Sequence, residues 1–122
     1  MKFKFNLKEF RREKLEEGIF RVWLLDEKVG SNNFFLRFFE ILPGRGTEDD
    51  KHPYEHGIYI LEGIGELKID DEIFYIEKDD VVFIPSMKSH SIKNIGDKSL
   101  KFLCIVPAKI YRDYKKEKIN AW

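Results

Sequence analysis

The chain carries three histidines, and two of them stand close together near its middle. Successive side chains of an extended strand point to opposite faces, so Asp50, His52 and His56 can share one face. The third histidine, His90, belongs to a later segment. Three imidazoles and one carboxylate suit a divalent transition metal. We therefore treat these four residues as candidate metal ligands.

The spacing of His52 and His56 is compatible with two geometries. Residues four apart also share a helical face, as in zinc-binding helices. Pro53 lies between the two histidines, and the run GIYILEG at 57–63 is rich in β-branched and aromatic residues. Both features favour a strand, because proline interrupts a helix and such residues suit a pleated surface. Spacing alone leaves the two geometries open.

Both histidine segments resemble the sequence motifs of the cupin family. The first motif is G-x5-H-x-H-x3,4-E-x6-G and the second is G-x5-P-x-G-x2-H-x3-N. Six of the ten marked positions keep the residue type of the family, and all ten keep its intervals. The ten positions are Gly44, Asp50, His52, His56, Gly63, Asp79, Pro85, Met87, His90 and Asn94.

Two of the four changed positions bear on the ligand set. Asp50 stands where the family has its first histidine, and His56 stands where the family has glutamate. The exchange retains three imidazoles and one carboxylate. The string DKHPYEH at 50–56 resembles the H-x-H-P-aromatic-E-H string of some small cupins, with its first histidine lost. Asp50 is either a ligand, directly or through water, or a solvated loop carboxylate.

The resemblance covers about residues 34–107 and implies one bound divalent transition metal. Imidazole and carboxylate ligands suit Mn, Fe, Co, Ni, Cu or Zn, and the family favours iron or manganese. Because protons compete for imidazole nitrogens, metal affinity is expected to fall as the pH drops through the histidine range.

The elements that must position these residues are short strands separated by turns. Strands are predicted at 19–25, 34–42, 55–61, 66–70, 72–77, 81–85, 91–95 and 100–106. Asp70 and Asp71 predict a tight hairpin. Strands at this spacing indicate an all-β antiparallel barrel, the double-stranded β-helix or jelly roll that the resemblance also implies. The apolar strand at 34–42 is expected to pack between two layers or against a partner.

The two ends of the chain predict additional elements. Alternation at residues 2–5 predicts an edge strand, and Asn6 followed by Glu9 predicts a short helix that ends at Gly18. A C-terminal helix is predicted within 108–122, packed over the barrel or onto a second subunit. Its apolar side would carry Tyr111, Tyr114, Ile119 and Trp122.

Aromatic side chains are the candidates for a ligand pocket. The chain has 11 phenylalanines, and core packing is the commoner fate of such residues. Cys104 lies in the apolar run FLCIV, which predicts a buried, inert thiol. The pocket candidates are Tyr54, Tyr59, Phe83 and Phe102.

Composition narrows the class of protein. The 122 residues predict a single domain with a barrel core at about 19–107 and a tail at 108–122. Lys plus Arg and Asp plus Glu are 22 each, so no global field attracts nucleic acid or an anionic membrane. No apolar run approaches the roughly 20 residues of a membrane helix, and a charged N-terminus differs from a secretory signal. We expect a cytoplasmic protein.

The resemblance implies two classes of function. The first is a metal-dependent dioxygenase or isomerase that acts on a small organic molecule. The second is a non-catalytic ligand-sensing or metal-binding module. A homodimer is implied in both cases, with a small molecule as the other partner. A metal-free structural barrel is disfavoured by the retained histidines.

Overall fold

The computed structural model describes residues 2–115, which form antiparallel strands and a C-terminal helix. The strands and the α-helix in this range are β1 (Glu13–Glu16), β2 (Ile19–Leu25), β3 (Phe34–Ile41), β4 (His56–Glu62), β5 (Ile64–Ile69), β6 (Glu72–Glu77), β7 (Val81–Ile84), β8 (His90–Asn94), β9 (Leu100–Pro107) and α1 (Ala108–Lys115). Two 3-10 turns, Leu7–Glu9 and Glu27–Val29, precede β1 and β3. No helix in this range is long and apolar enough to cross a membrane.

Two antiparallel sheets enclose the core. The larger sheet has the order β1-β2-β3-β9-β4-β7, and the smaller sheet has the order β6-β5-β8. Side chains alternate between core and surface along β9, where Phe102 and Cys104 are buried and Ile105 between Cys104 and Val106 is exposed. Apolar residues from both sheets meet in one core cluster. The predicted all-β antiparallel jelly roll is confirmed.

The β5-β6 hairpin turns at the two predicted aspartates. Ile69 pairs with Glu72, so Asp70 and Asp71 are the two loop residues. Asp70 has a φ of 51°, in the left-handed region that tight hairpin turns require. The short side chain of aspartate tolerates that region better than most residues.

The prediction for the N-terminal segment is wrong in two respects. Residues 2–5 form no strand, and the helix is one 3-10 turn, Leu7–Glu9. Asn6 caps this turn as predicted, because its side chain accepts a hydrogen bond from the Lys8 N–H. Within the rest of the predicted helix, Glu13–Glu16 form β1, which pairs with β2. The edge of β2 has free backbone N–H and C=O groups that pair with this segment. The hydrogen bonds of this pairing outweigh the weak helical preference of the segment.

Strand β3 is apolar on both sides for two different reasons. Phe35 and Phe39 belong to the core cluster on its inner side. On the outer side, Phe38 is only 7% exposed and lines a groove together with Phe3 and Phe5. The N-terminal segment therefore packs beside the outer face of this strand.

Helix α1 packs over the barrel, as one of the two predicted arrangements requires. Tyr111 is 1% exposed and packs edge-on against Trp23 and Phe35. Tyr114 packs against the core cluster as well. Ile119 and Trp122, which were predicted to share this side of the helix, lie outside the described residues.

The loop that precedes β4 lies beside β8 and is joined to it by two isolated β-bridges. Gly46 bridges Lys93, and Asp50 bridges His90. A Cβ atom at Gly46 would lie 2.9 Å from the Ile92 carbonyl oxygen, so only glycine permits this approach. The bridges hold the residues around His52 against the strand that begins with His90.

Asn94 provides a test of how the end of β8 is held. Its side-chain amide donates to the carbonyl oxygens of Ile41 and Lys98, and its oxygen accepts from the Gly96 N–H. Asn94→Ala leaves these groups without side-chain partners, so the free energy of unfolding should fall by about 2–4 kcal/mol. Urea unfolding measures the loss. The control, Asn33→Ala at an exposed position, should change it by less than about 0.5 kcal/mol. Equal effects would contradict this role for Asn94.

Candidate metal centre

Three histidines converge inside the barrel. His56 begins β4, His90 begins β8, and His52 lies in the loop before β4. Each is at most 1% exposed. One ring nitrogen from each residue lies within 4.8 Å of the others. The Nε2 atoms of His52 and His56 are 3.1 Å apart.

Hydrogen bonds orient two of the three rings. His90 Nδ1 lies 2.9 Å from the Lys88 carbonyl oxygen. A carbonyl oxygen only accepts, so Nδ1 carries the hydrogen and Nε2 keeps its lone pair. His56 Nδ1 lies 2.9 Å from Cys104 Sγ, and its Nε2 faces His52. A partner on the outer ring nitrogen is how metal-binding histidines are usually held.

The third ring is held by stacking. His52 stacks on Tyr54 with ring centroids 3.9 Å apart and an angle of 8° between the planes. Its Nδ1 is buried and has no hydrogen-bond partner.

The donor set fits a transition metal. Two nitrogens bound at about 2.1 Å to one ion are separated by about 3.0–3.4 Å, close to the 3.1 Å between His52 Nε2 and His56 Nε2. Three neutral imidazoles are ligands for Zn, Cu, Fe or Ni. A cluster of three buried histidines whose nitrogens face one another is therefore chemically suited to hold such an ion.

Burial keeps the three imidazoles in the neutral form that binds metals. Desolvation, reinforced by the neighbouring His90, lowers the pKa of His52 to about 4, and the Asp50 carboxylate opposes this only partly. Desolvation also holds the pKa of His56 well below its usual value, with Arg37 as the next cause. The pKa of His90 is lowered by burial as well. All three are unprotonated at neutral pH.

Asp50 lies at the edge of the cluster. Its backbone exchanges two hydrogen bonds of 2.9 Å with His90. Its Oδ2 is 3.9 Å from His52 Nε2, and its Oδ1 accepts from the Lys51 N–H. Within residues 2–115 the converging group consists of the three histidines, without this carboxylate. A ligand role for Asp50 stays a prediction.

Tyrosines cover the histidines on the side of α1. Tyr54 contacts Tyr111 and Tyr114, with ring centroids 5.0 and 5.6 Å away. Tyr114 donates its hydroxyl hydrogen to the Lys51 carbonyl oxygen at 3.2 Å. Burial raises the pKa of the Tyr54 hydroxyl, so it stays protonated. These rings lie between the histidines and the helix.

The predicted pocket residues are divided between three places. Tyr54 is next to the histidines. Phe102 is in the core, stacked on Phe39 at 5.2 Å. Tyr59 and Phe83 are 41% and 58% exposed on the outer face of the larger sheet, where the Tyr59 hydroxyl donates to Asp79. The structure does not bring these last two side chains to the histidines.

Two residues near the cluster were not singled out for chemistry by the sequence. Arg37 is fully buried, and its Nη2 donates to Cys104 Sγ at 3.1 Å. Cys104 is buried, as predicted, but its sulfur contacts both this guanidinium and His56. The inward direction of Arg37 could have been predicted from its position in β3. It is two residues from Phe35 and two from Phe39, and alternate residues of a strand point to the same face.

The lowered histidine pKa values predict how the stability of the metal-free protein depends on pH. Unfolded histidines protonate near 6.5, whereas His52 in the folded chain protonates only near pH 4. Between these values the unfolded state binds more protons, so stability is full above about pH 6.5 and falls below it. Each such histidine contributes up to about 1.4 kcal/mol per pH unit.

Urea unfolding of the metal-free protein between pH 7 and pH 5 measures this slope. His52→Asn removes one titrating group and should reduce the slope. Unfolding free energies that do not change between pH 6.5 and pH 5 would contradict the assignment of depressed pKa values.

Comparisons with known proteins agree with this architecture. The chain is 34% identical over 73 residues to the 1-methylthio-D-xylulose 5-phosphate methylsulfurylase of Rhodospirillum rubrum, covering 60% of this chain and 47% of that protein. The chain thus spans about half the length of that relative.

Solved structures are similar over most of the chain. The polyketide cyclase RemF from Streptomyces resistomycificus superposes with a TM-score of 0.81 at 24% identity, over 89% of this chain and 81% of that chain. At this identity the likeness shows the fold alone. A predicted oxalate decarboxylase from Thermotoga maritima gives a TM-score of 0.71 at 27% identity, covering 81% and 91% of the two chains.

The family model that matches is described as the Cupin domain, Cupin_2, and it spans residues 37–106. This match covers more than half of the chain and includes all three histidines. The protein belongs to the Cupin_2 family.

Proposed function

We propose that the chain binds one divalent transition metal through His52, His56 and His90. The observation that carries the proposal is the convergence of three buried imidazoles, with ring nitrogens within 4.8 Å of one another. Asp50 would complete the ligand set, directly or through a water molecule. The metal would be Fe, Mn, Zn, Ni, Co or Cu, because imidazole and carboxylate ligands accept each of these ions.

The surrounding residues have defined tasks in this proposal. The Lys88 carbonyl oxygen and Cys104 Sγ fix the orientation of His90 and His56 through their Nδ1 atoms. Tyr54 holds His52 by stacking. When bound, the metal would supply Lewis-acid or redox chemistry.

We further propose that the site acts on a small organic molecule, as a metal-dependent dioxygenase or isomerase. Support for action on a small molecule comes from two similar proteins, whose names denote a methylsulfurylase and a predicted oxalate decarboxylase. The choice of dioxygenase or isomerase follows from the family resemblance. The alternative is a non-catalytic metal-binding or ligand-sensing module. The nearly complete burial of the three histidines is the observation that supports a metal-binding module, because both a substrate and a sensed ligand would need a path to the ion.

Metal content of the purified protein tests the proposal. The protein is prepared without a tag or a nickel column, loaded with Zn²⁺, desalted and analysed for metal. About one ion per chain is expected. His52→Ala, His56→Ala and His90→Ala should each weaken binding at least about tenfold, because a loss of one ligand leaves two. Asp50→Ala should weaken it less.

A matched control is Asp49→Ala, which removes a carboxylate next to Asp50 in the same loop and should leave metal content unchanged. Retention of one ion per chain in all three alanine variants would contradict the histidine site. Oxygen uptake with candidate substrates that requires the metal would separate the enzyme from the non-catalytic module.

We propose that the protein is a homodimer and that the partner covers the outer face of the larger sheet. Val81 lies opposite Tyr59, and Phe83 and Ile105 flank Gly57 on either side. The four side chains are 41–75% exposed and form an apolar surface, with the Asp79 carboxylate beside it as the acceptor of the Tyr59 hydroxyl hydrogen. With equal numbers of acidic and basic residues, two copies of the chain do not repel one another through net charge.

A buried lone cysteine fits a reducing compartment such as the cytoplasm.

Light scattering with size-exclusion chromatography tests the dimer. The unmodified protein should elute with twice the mass of one chain, and Phe83→Lys should elute as a monomer because the lysine charge would be buried in the contact. The control is Ile73→Lys, which changes a residue of similar exposure on the smaller sheet and should leave the dimer intact. A monomeric unmodified protein would contradict the proposal.

A further inference from the structure

Two buried arginines on neighbouring strands have different surroundings. Arg21 in β2 is 2% exposed, and its Nε donates to a Glu13 carboxylate oxygen at 3.2 Å. Arg37 in β3 is 0% exposed, and no carboxylate of residues 2–115 forms an ion pair with it. Its Nε and Nη1 atoms are buried without any hydrogen-bond partner. Burying an arginine is costly unless its charge is balanced and its N–H groups are bonded.

The contacts of Arg37 account for only part of its bonding capacity. A guanidinium has five N–H donors. The Nη2 of Arg37 donates to Cys104 Sγ at 3.1 Å, and the side chain of Arg37 also hydrogen-bonds to that of Tyr111. The rings of Phe39, Tyr111 and Trp23 lie 5.1, 5.1 and 5.6 Å from its central carbon. Ring faces attract a cation, but they carry no negative charge that could neutralise it.

Arg37 adds its charge to the histidine cluster. A single sulfur atom, Cys104 Sγ, contacts both the Arg37 guanidinium and the His56 ring. With a divalent metal on the three neutral imidazoles, the metal and Arg37 would carry three positive charges. Asp50 is the one carboxylate of the described chain that lies within 4 Å of a cluster nitrogen. The interior therefore lacks negative charge.

We propose that Arg37 binds the carboxylate group of a small organic molecule inside the barrel, beside the metal. The inference deepens the proposed function and rests on it for the position of the metal. A carboxylate accepts hydrogen bonds from guanidinium N–H groups and offsets their charge. The ring of Tyr111 in α1 lies beside Arg37 on the side of the helix.

Thermal unfolding of the metal-free protein tests the binding of carboxylates without the metal. Chelator is removed by desalting, and malonate and acetate are added at pH 7. Each should raise the unfolding temperature by about 3–6 °C at roughly tenfold its dissociation constant. Malonamide and acetamide, which lack the charge, should leave it unchanged, as should sodium chloride at equal ionic strength.

Arg37→Met removes the guanidinium and should weaken malonate binding at least about tenfold, measured by calorimetric titration. Arg37→Lys keeps the charge and should retain part of the binding if the variant folds. Arg21→Met is the matched control and should bind malonate as the unmodified protein does. A rise in unfolding temperature of the same size with sodium chloride, or in Arg37→Met, would overturn the proposal.

Zn²⁺ titration of the same samples separates this inference from the proposed function. Zn²⁺ binding without malonate binding would overturn the carboxylate site and leave the metal site standing. Malonate binding that needs Arg37, in a protein that binds no Zn²⁺, would support the carboxylate site and overturn the proposed metal centre.

Discussion

The burial of three uncharged imidazoles is the condition on which the rest of the structure depends. Water would restore their pKa values and a proton on any ring would place a charge in the core. The barrel meets this condition by bringing the start of β4, the start of β8 and one loop together under tyrosine side chains. The Lys88 carbonyl and Cys104 then turn two rings so that their Nε2 atoms face inwards. A metal site in this interior needs little rearrangement of its ligands.

Much of this arrangement was predictable from the sequence. Alternation of apolar residues and the turn residues between them place the strands within one or two positions, since one face of each strand must be buried. The interval motifs identify the three histidines as one cluster although His90 is far from the others in sequence. Spacing could not establish whether Asp50 reaches the same point, because its side-chain direction depends on a loop and on its bridge to His90.

Other features depend on tertiary contacts that local patterns do not contain. Glu13–Glu16 is a strand because β2 has a free edge beside it, and no property of those four residues requires this. Tyr59 and Phe83 point outwards because they stand at odd intervals from the inward His56 and Ile84. Their aromatic side chains suggested a pocket, but the alternation of side chains along each strand determines which face of the sheet they occupy. The same alternation places Arg37 inside, where its charge was not expected.

X-ray absorption spectroscopy of the zinc-loaded protein identifies the ligand atoms directly. We expect three imidazole nitrogen ligands at about 2.0–2.1 Å, with oxygen atoms completing the coordination. The same spectrum should show no sulfur neighbour, because Cys104 Sγ contacts the far side of the His56 ring. A zinc–sulfur distance of about 2.3 Å, or a spectrum with fewer than three imidazoles, would contradict the three-histidine site.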